Sequence, residues 1–386
     1  MSKESFLKSK FAHLQPDEIA KEWVERNIRV PMRRAEYARH PVSDETREWL
    51  KTRFCFKPFE EIESSPSGLI YLCCPGWLPT PAGDVNSDIM KQWHGAKAKK
   101  IRDSIVDGSY KYCSPTHCPA ISGRTLPSRD TPEAQALING PLPAPKTINL
   151  SHDRSCNLSC PSCRNDLILA GKAKQAKLDA LIEKSFVPVL REVQNVWVTG
   201  SGDPFASNHF RRLIKRLTPE EFPNLKINLI TNAQLLDERA WKDLKLEGRV
   251  ENLTISADAT QADTYAVLRR EGDFERLKKN LAFIKTLRER GAVKNLTLAM
   301  VVQDLNFRQA PEFVRFAKSY GADTVALQMI RNWGTYSAEE FKRVFIASKE
   351  HPEFKDYLAM LAAPELREPG VDAGNLFHHA ELAQAA

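Results

Sequence analysis

The chain has 386 residues, a formal net charge of +7, 42% hydrophobic residues and 27% charged ones. It exceeds the roughly 250 to 300 residues at which a single core stops growing, so one large domain with a smaller companion is expected. No apolar run approaches the ~18 residues needed to span a membrane, and basic residues are interleaved with acidic ones, as in LRREGDFERLKKN, which argues against a dedicated nucleic-acid surface.

Residues 1–54 read as a helical segment, with Ser43 as the N-cap of SDETREWLKTRF. The first residues, MSKESFLKSKFAHLQPDE, have scattered charge and lack the apolar core of a signal peptide, so a cytoplasmic location is expected. Over residues 55–122 short apolar pieces such as GLIYLCC alternate with Pro and Gly, and a helical stretch, SDIMKQWHGAKAKKIRDSIVDG, follows. Residues 123–145 hold five prolines and read as a linker or wrapping arm.

From Lys146 the texture becomes regular. Strand-like runs TINLSHD, NVWVTG, INLITN, NLTISAD, LTLAMVV and TVALQMI alternate with amphipathic helical patterns up to about residue 335. Such alternation predicts successive β-α-β units and a parallel sheet, an α/β fold that is either doubly wound or a complete or partial barrel. The runs look nearly apolar throughout, which predicts burial on both faces. Residues 336–386 read as a C-terminal helical extension.

Eight cysteines in a reducing compartment point to metal or redox chemistry rather than disulfides. Three of them, Cys156, Cys160 and Cys163, stand at C-x3-C-x2-C spacing in SCNLSCPSCRND, just after the first regular strand. A zinc site would need a fourth ligand, for which His152 is the nearest candidate, but structural zinc favours two separated ligand pairs. Three thiolates on one loop suit a [4Fe–4S] cluster with one iron left for a small molecule.

This spacing, after the first strand of a six-fold β/α repeat, resembles the radical SAM superfamily. The resemblance implies a partial (β/α)6 barrel and S-adenosylmethionine bound to the open iron. It implies reductive cleavage of that cofactor to a 5′-deoxyadenosyl radical, and a reductant such as flavodoxin or ferredoxin. VTGSGDPF is similar to the family's Gly-Gly-Glu-Pro segment, which implies cofactor contacts at Gly200, Ser201, Gly202, Asp203 and Pro204. Asn232, in ITNAQ, matches the family's Thr-Asn-Gly position. Ser256 and Asp258, in ISADA, match positions that contact ribose or methionine, and Arg269 is a candidate for the carboxylate. Two positions depart from the pattern: Ser162 stands where an aromatic residue usually covers the adenine, and Asp203 replaces the commoner Glu.

The earlier cysteines form a second set. Cys55, Gly68 and Cys73, a helix carrying Trp93, and then Cys113 and Cys118 are similar to the SPASM extension in its shorter twitch form. That implies a second, auxiliary [4Fe–4S] cluster on Cys55, Cys73, Cys113 and Cys118, with a four-thiolate zinc site as the alternative. The extension here precedes the barrel instead of following it. Cys74 is left over: a buried small hydrophobe, a substitute for Cys73, or a hydrogen-atom donor. Gln328, Arg331, Asn332 and Trp333 follow the sixth strand and are the candidate substrate residues, set against a helix entry with a packed Trp.

The resulting expectation is an enzyme that oxidises, cross-links or epimerises a peptide or saccharide-type substrate. A non-catalytic Fe–S or zinc protein that senses redox state or scaffolds a partner is the alternative, and nucleic-acid modification a minor one.

Overall fold

In the computed structural model of the chain, residues 43–115 and 117–385 are described. The expected N-terminal helical segment therefore lies largely outside the described residues, and only its last part can be compared. There, a helix over Asp44–Lys51 does start at Ser43, whose Oγ accepts the Thr46 N–H at 3.2 Å.

The chain divides into two compact units. Among the described residues, the first takes those up to Arg154 together with Ala170–Ser201 and Arg216–Leu225; the second takes Ser155–Leu169, Gly202–Lys215 and the chain from Lys226 onward.

The first unit holds strands β1 (Glu61–Ser64), β2 (Leu69–Tyr71), β3 (Gly83–Asp84), β4 (Thr147–Leu150) and β5 (Asn195–Val198). They are ordered β5-β4-β1-β2-β3. β1 runs parallel to β4, from Glu61 opposite Thr147 to Ser64 opposite Leu150, and β4 runs parallel to β5. Residues 55–122 are thus continuous with the repeating strands: β1 extends the β4 edge, and β2 turns back antiparallel on β1. Gly68 makes that hairpin possible, since its φ of 70° is costly for any side chain with a Cβ.

Helices flank this sheet. In Ala96–Val106, Arg102 lies 4.0 Å over the buried Trp93 ring and donates to the Pro58 and Trp93 carbonyls, both at 2.7 Å. Phe54, Phe59, Ile105, Tyr110 and Ile121 form a core with Leu126 and Ala134. The last two belong to the proline-rich 123–145 segment, which packs as a wrapping arm and includes the helix Pro132–Asn139.

The second unit holds β6 (Lys226–Thr231), β7 (Val250–Ser256), β8 (Val293–Val302), β9 (Thr324–Met329) and β10 (Val371–Asp372), ordered β10-β9-β8-β7-β6 and all parallel where they pair. All six strand-like runs are therefore strands, β4 to β9. The C-terminal segment does carry helices at Ala338–Val344, Phe354–Leu361 and Leu376–Ala385, and it also returns a short strand, β10, to β9.

One expectation fails. Apart from β6, where Ile227, Asn228 and Leu229 are buried in succession, the strands are not buried on both faces. Burial alternates residue by residue along β4, β5 and β9 and along β8 from Asn295 onward. One face of the second unit is apolar, with Leu253, Ile255, Leu298, Met300 and Leu327 at most 1% exposed. The other is half-open and polar: Thr254, Thr297 and Thr324 stand side by side, and below them Asn295 and Asn252 hydrogen-bond along the row to Asn228. Beside Ser256, toward the C-terminal ends, the row continues as Ala299 and Ala326, small side chains that leave room above the sheet.

Candidate functional site

The segment Ser155–Leu169 follows β4 and carries the three closely spaced thiols. The Cys156 N–H donates to the Ile168 carbonyl at 2.8 Å and closes the loop at its ends. A turn within it brings the Cys163 and Arg164 N–H groups onto the Cys160 carbonyl, each at 2.9 Å. Cys156 and Cys160 are buried around Leu158, and Cys163 is exposed.

Each sulfur meets a side-chain N–H donor. Asn232 Nδ2 lies 3.6 Å from Cys156 Sγ, Arg269 Nη1 3.8 Å from Cys160 Sγ, and Arg164 Nη2 3.4 Å from Cys163 Sγ. Burial pushes the Cys156 thiol up to about 11, with the Asp203 carboxylate adding to it and Arg164 opposing. Burial also raises Cys160, and Arg269 is the first group to oppose it. Thiols in such surroundings stay protonated until a cationic centre takes them, while the donors are already placed for thiolates. Among the described residues no group of three or more His, Cys, Asp or Glu is spaced for a single metal ion. His152 is engaged elsewhere: its Nδ1 is 3.0 Å from Ser64 Oγ and its ring stacks on Phe186.

The strand-end residues divide into those that build the site and those left facing it. Asp203 is 1% exposed, and its carboxylate accepts four hydrogen bonds, from Thr231 Oγ1 and Asn232 N on one oxygen and from Phe205 N and Ala206 N on the other. Burial still leaves its carboxyl above the ordinary range, because desolvation outweighs those bonds. Its own N–H donates to the Ser155 carbonyl at 2.8 Å, so Asp203 joins the β6 end to the cysteine loop. Asn232 adds a bond to Asn157 Oδ1 at 3.1 Å.

Asp258 has a φ of 64°; one carboxylate oxygen accepts the Val301 N–H at 2.8 Å and the other pairs with Arg269 Nη2 at 2.8 Å. Ser256 ends β7 half-buried. In the first unit, Gly200 N–H donates to Ser151 Oγ at 3.1 Å, and Ser201 Oγ donates to the Ser151 carbonyl. Gly202, Ser162 and Arg269 are half-buried, and Pro204 is buried.

Sequence reasoning missed the residues that grip the loop. Arg270 donates to the Ser159 carbonyl at 3.0 and 2.7 Å and to the Asn165 carbonyl at 3.1 Å. Glu271, at a φ of 66°, accepts the Ser159 N–H at 2.8 Å and its Oγ–H at 2.7 Å. The available signal was the run Arg269-Arg270-Glu271-Gly272 at a helix end, three charges in one turn.

Residues 150–317 match the Radical SAM superfamily. This segment is a radical SAM domain. The PqqA peptide cyclase of Gluconobacter oxydans (strain 621H) is 29% identical over 199 residues, 50% of this chain and 52% of that protein. The GTP 3′,8-cyclase of Rhizobium leguminosarum bv. trifolii (strain WSM2304) is 22% identical over 200 residues, 51% and 56% of the two chains. The chain spans about half the length of these curated relatives. Among solved structures, Streptococcus suis SuiB bound to S-adenosylmethionine superposes with a TM-score of 0.43 at 18% identity, covering 62% of this chain and 52% of that one.

A radical SAM domain implies a [4Fe–4S] cluster and S-adenosylmethionine. The residues fit the cluster: three thiols on one closed loop, each supplied with an N–H donor.

Outside the radical SAM segment, the first unit gathers the other thiols. Cys55, Cys73, Cys113 and Cys118 line one cavity of about 160 Å³, with Trp77 and Tyr110. Burial drives all four thiols up, Cys55 to about 12 with Cys118 adding to it. Cys74 is half-buried and is not among the lining residues.

At the end of β9, Gln328 is exposed, and Trp333 is 49% exposed with the Arg331 guanidinium 4.9 Å from its ring. Asn332 instead builds the turn, accepting the Gly334 N–H at 2.8 Å and donating to the Tyr336 carbonyl at 2.9 Å.

The buried Glu63 stands opposite Asn149 across β1 and β4. Burial, with the Glu61 carboxylate next, raises its carboxyl from 4.5 to about 8. The folded state thus holds this proton more tightly than the unfolded chain, so its contribution is complete in acid and is lost as pH rises through 8. Denaturant midpoints measured between pH 4.5 and 8 should fall on this account, and Glu63→Gln should flatten the decline.

Proposed function

We propose that the protein is a radical SAM enzyme acting on a peptide or a saccharide-type substrate, with a second [4Fe–4S] cluster in a SPASM/twitch-like N-terminal part. The observation that carries this reading is the pairing of a C-x3-C-x2-C loop inside a radical SAM segment with a separate cavity lined by four more thiols. When bound, the implied groups supply one-electron cleavage of the sulfonium and a 5′-deoxyadenosyl radical for hydrogen abstraction.

The chain's own residues then hold and orient. Cys156, Cys160 and Cys163 are the ligands of the first cluster, and Cys55, Cys73, Cys113 and Cys118 those of the second. Arg269 Nε, buried with no partner among the described residues, is available to a carboxylate. Gly200 to Pro204, Asn232, Ser256 and Asp258 are the residues that would hold the cofactor.

The match to a peptide cyclase favours a peptide substrate. The exposed Trp333, with the Arg331 guanidinium over its ring, and the exposed Gln328 are the assigned substrate residues, side-chain types that suit peptide or sugar. Oxidation, cross-linking and epimerisation all remain within this reading, and Cys74 as hydrogen donor belongs to the last. A cytoplasmic location, with flavodoxin or ferredoxin as reductant, goes with it.

Anaerobic loading with iron and sulfide should give about eight irons per chain, as two four-iron clusters require. Reduction with S-adenosylmethionine present should release 5′-deoxyadenosine, and Cys160→Ala should abolish that release. Zinc in place of iron with no cofactor cleavage would favour the scaffold alternative. Deuterium carried from a labelled peptide or saccharide into 5′-deoxyadenosine would name the substrate class.

A further inference from the structure

We propose that Arg269, held by Asp258, is a positioning residue that sets the reduction potential of the cluster on Cys156, Cys160 and Cys163. This rests on the reading of those thiols as cluster ligands. The geometry separates two tasks within one turn. Arg270 and Glu271 hold the loop mechanically, by its Ser159 and Asn165 carbonyls and by the Ser159 N–H and hydroxyl.

Arg269 takes no part in that grip. Its Nη1 points at the Cys160 sulfur, its Nη2 at Asp258, and its side chain is 12% exposed. Asp258 compensates the withdrawn guanidinium and fixes its direction, and the Nη1 contact strengthens when negative charge develops on the Cys160 sulfur. An electron added to a four-iron cluster increases the charge on its thiolates, and hydrogen bonds to those sulfurs stabilise the reduced form. Arg269 therefore raises the potential, making the cluster easier to reduce. Asp258, 3% exposed on its side chain, moderates the effect by neutralising part of that charge.

The opposed signs make a test. The potential is read from an EPR-monitored redox titration of the loaded full-length protein, using the signal that Cys160→Ala removes. Arg269→Gln, with iron content retained, should lower the reduced-to-oxidised ratio at fixed potential about tenfold, a shift of ~59 mV for one electron. Asp258→Asn should move the midpoint upward. Should Arg269→Gln fail to load because Asp258 is left buried and unpaired, Arg269→Met combined with Asp258→Asn removes both charges together and should again lower the midpoint.

Loaded variants with the wild-type midpoint would overturn the proposal. So would loss of iron in both the single and the paired variant, since Arg269 would then be holding the loop after all. Wild-type protein that takes up no iron on these thiols would refute the cluster reading instead, and the two failures are read from different samples.

Discussion

Asp203→Ala is expected to cost on the order of 4 kcal/mol of stability and to free the cysteine loop at its N-terminal side. The carboxylate satisfies four donors, all within 3.3 Å, in a position 1% open to water. Truncation leaves those donors buried without partners, at about 1–3 kcal/mol each, and the Thr231 hydroxyl can recover part by rotating. The cost reaches beyond the strand end because the Asp203 N–H and Asn232 both bond into the loop, at the Ser155 carbonyl and at Asn157.

Two further variants separate chemistry from size. Asp203→Asn keeps the volume but turns an amide N–H toward donors, so it should fall between wild type and Ala. Asp203→Glu, which restores the commoner residue of the Gly-Gly-Glu-Pro pattern, adds a methylene where there is no space and should also destabilise. Urea denaturation gives the stability, and iron content on the Cys156 loop gives the site. An Ala variant within about 1 kcal/mol of wild type would mean that water takes over the four donors.

What could be read from the sequence was local. The C-x3-C-x2-C loop, the strand that precedes it and the order of the strand ends lie in short contiguous stretches, where spacing and chemistry carry the signal. Gly68 stood out only through its spacing from Cys55 and Cys73, and its place is a hairpin turn with a φ of 70°.

Three features were not legible, each for a physical reason. β1 reads EIES, with two glutamates, and does not look like a sheet strand; it is one through distant pairing with β4 as well as with β2, and burial there raises the Glu63 carboxyl. The alternation in β8 and β9 was obscured because Ala299, Val301 and Ala326 fill half-open positions that a charged residue would have marked. The Arg270–Glu271 grip on Ser159 spans more than a hundred residues of chain and has no local signature.

The cavity lined by Cys55, Cys73, Cys113 and Cys118 leads to the remaining large effect. Left empty, a cavity of about 160 Å³ costs about 4 kcal/mol at 24 cal/mol per Å³, a sizeable share of what holds a domain folded. Its walls include Leu78, Tyr110, Ile121 and Leu126, the last three of which belong to the core of this unit. Whatever fills the cavity is therefore coupled to folding of the unit. Stripping metal from the loaded protein should lower the stability of this unit by roughly that amount, and exchange at the Tyr110 and Ile121 amides, which donate to the Ser104 and Cys118 carbonyls, should accelerate. Cys113→Ala should give the same loss together with about four fewer irons per chain. The two measurements have to agree: fewer irons with unchanged amide protection would mean that the metal sits elsewhere and that these thiols line a cavity the fold tolerates empty.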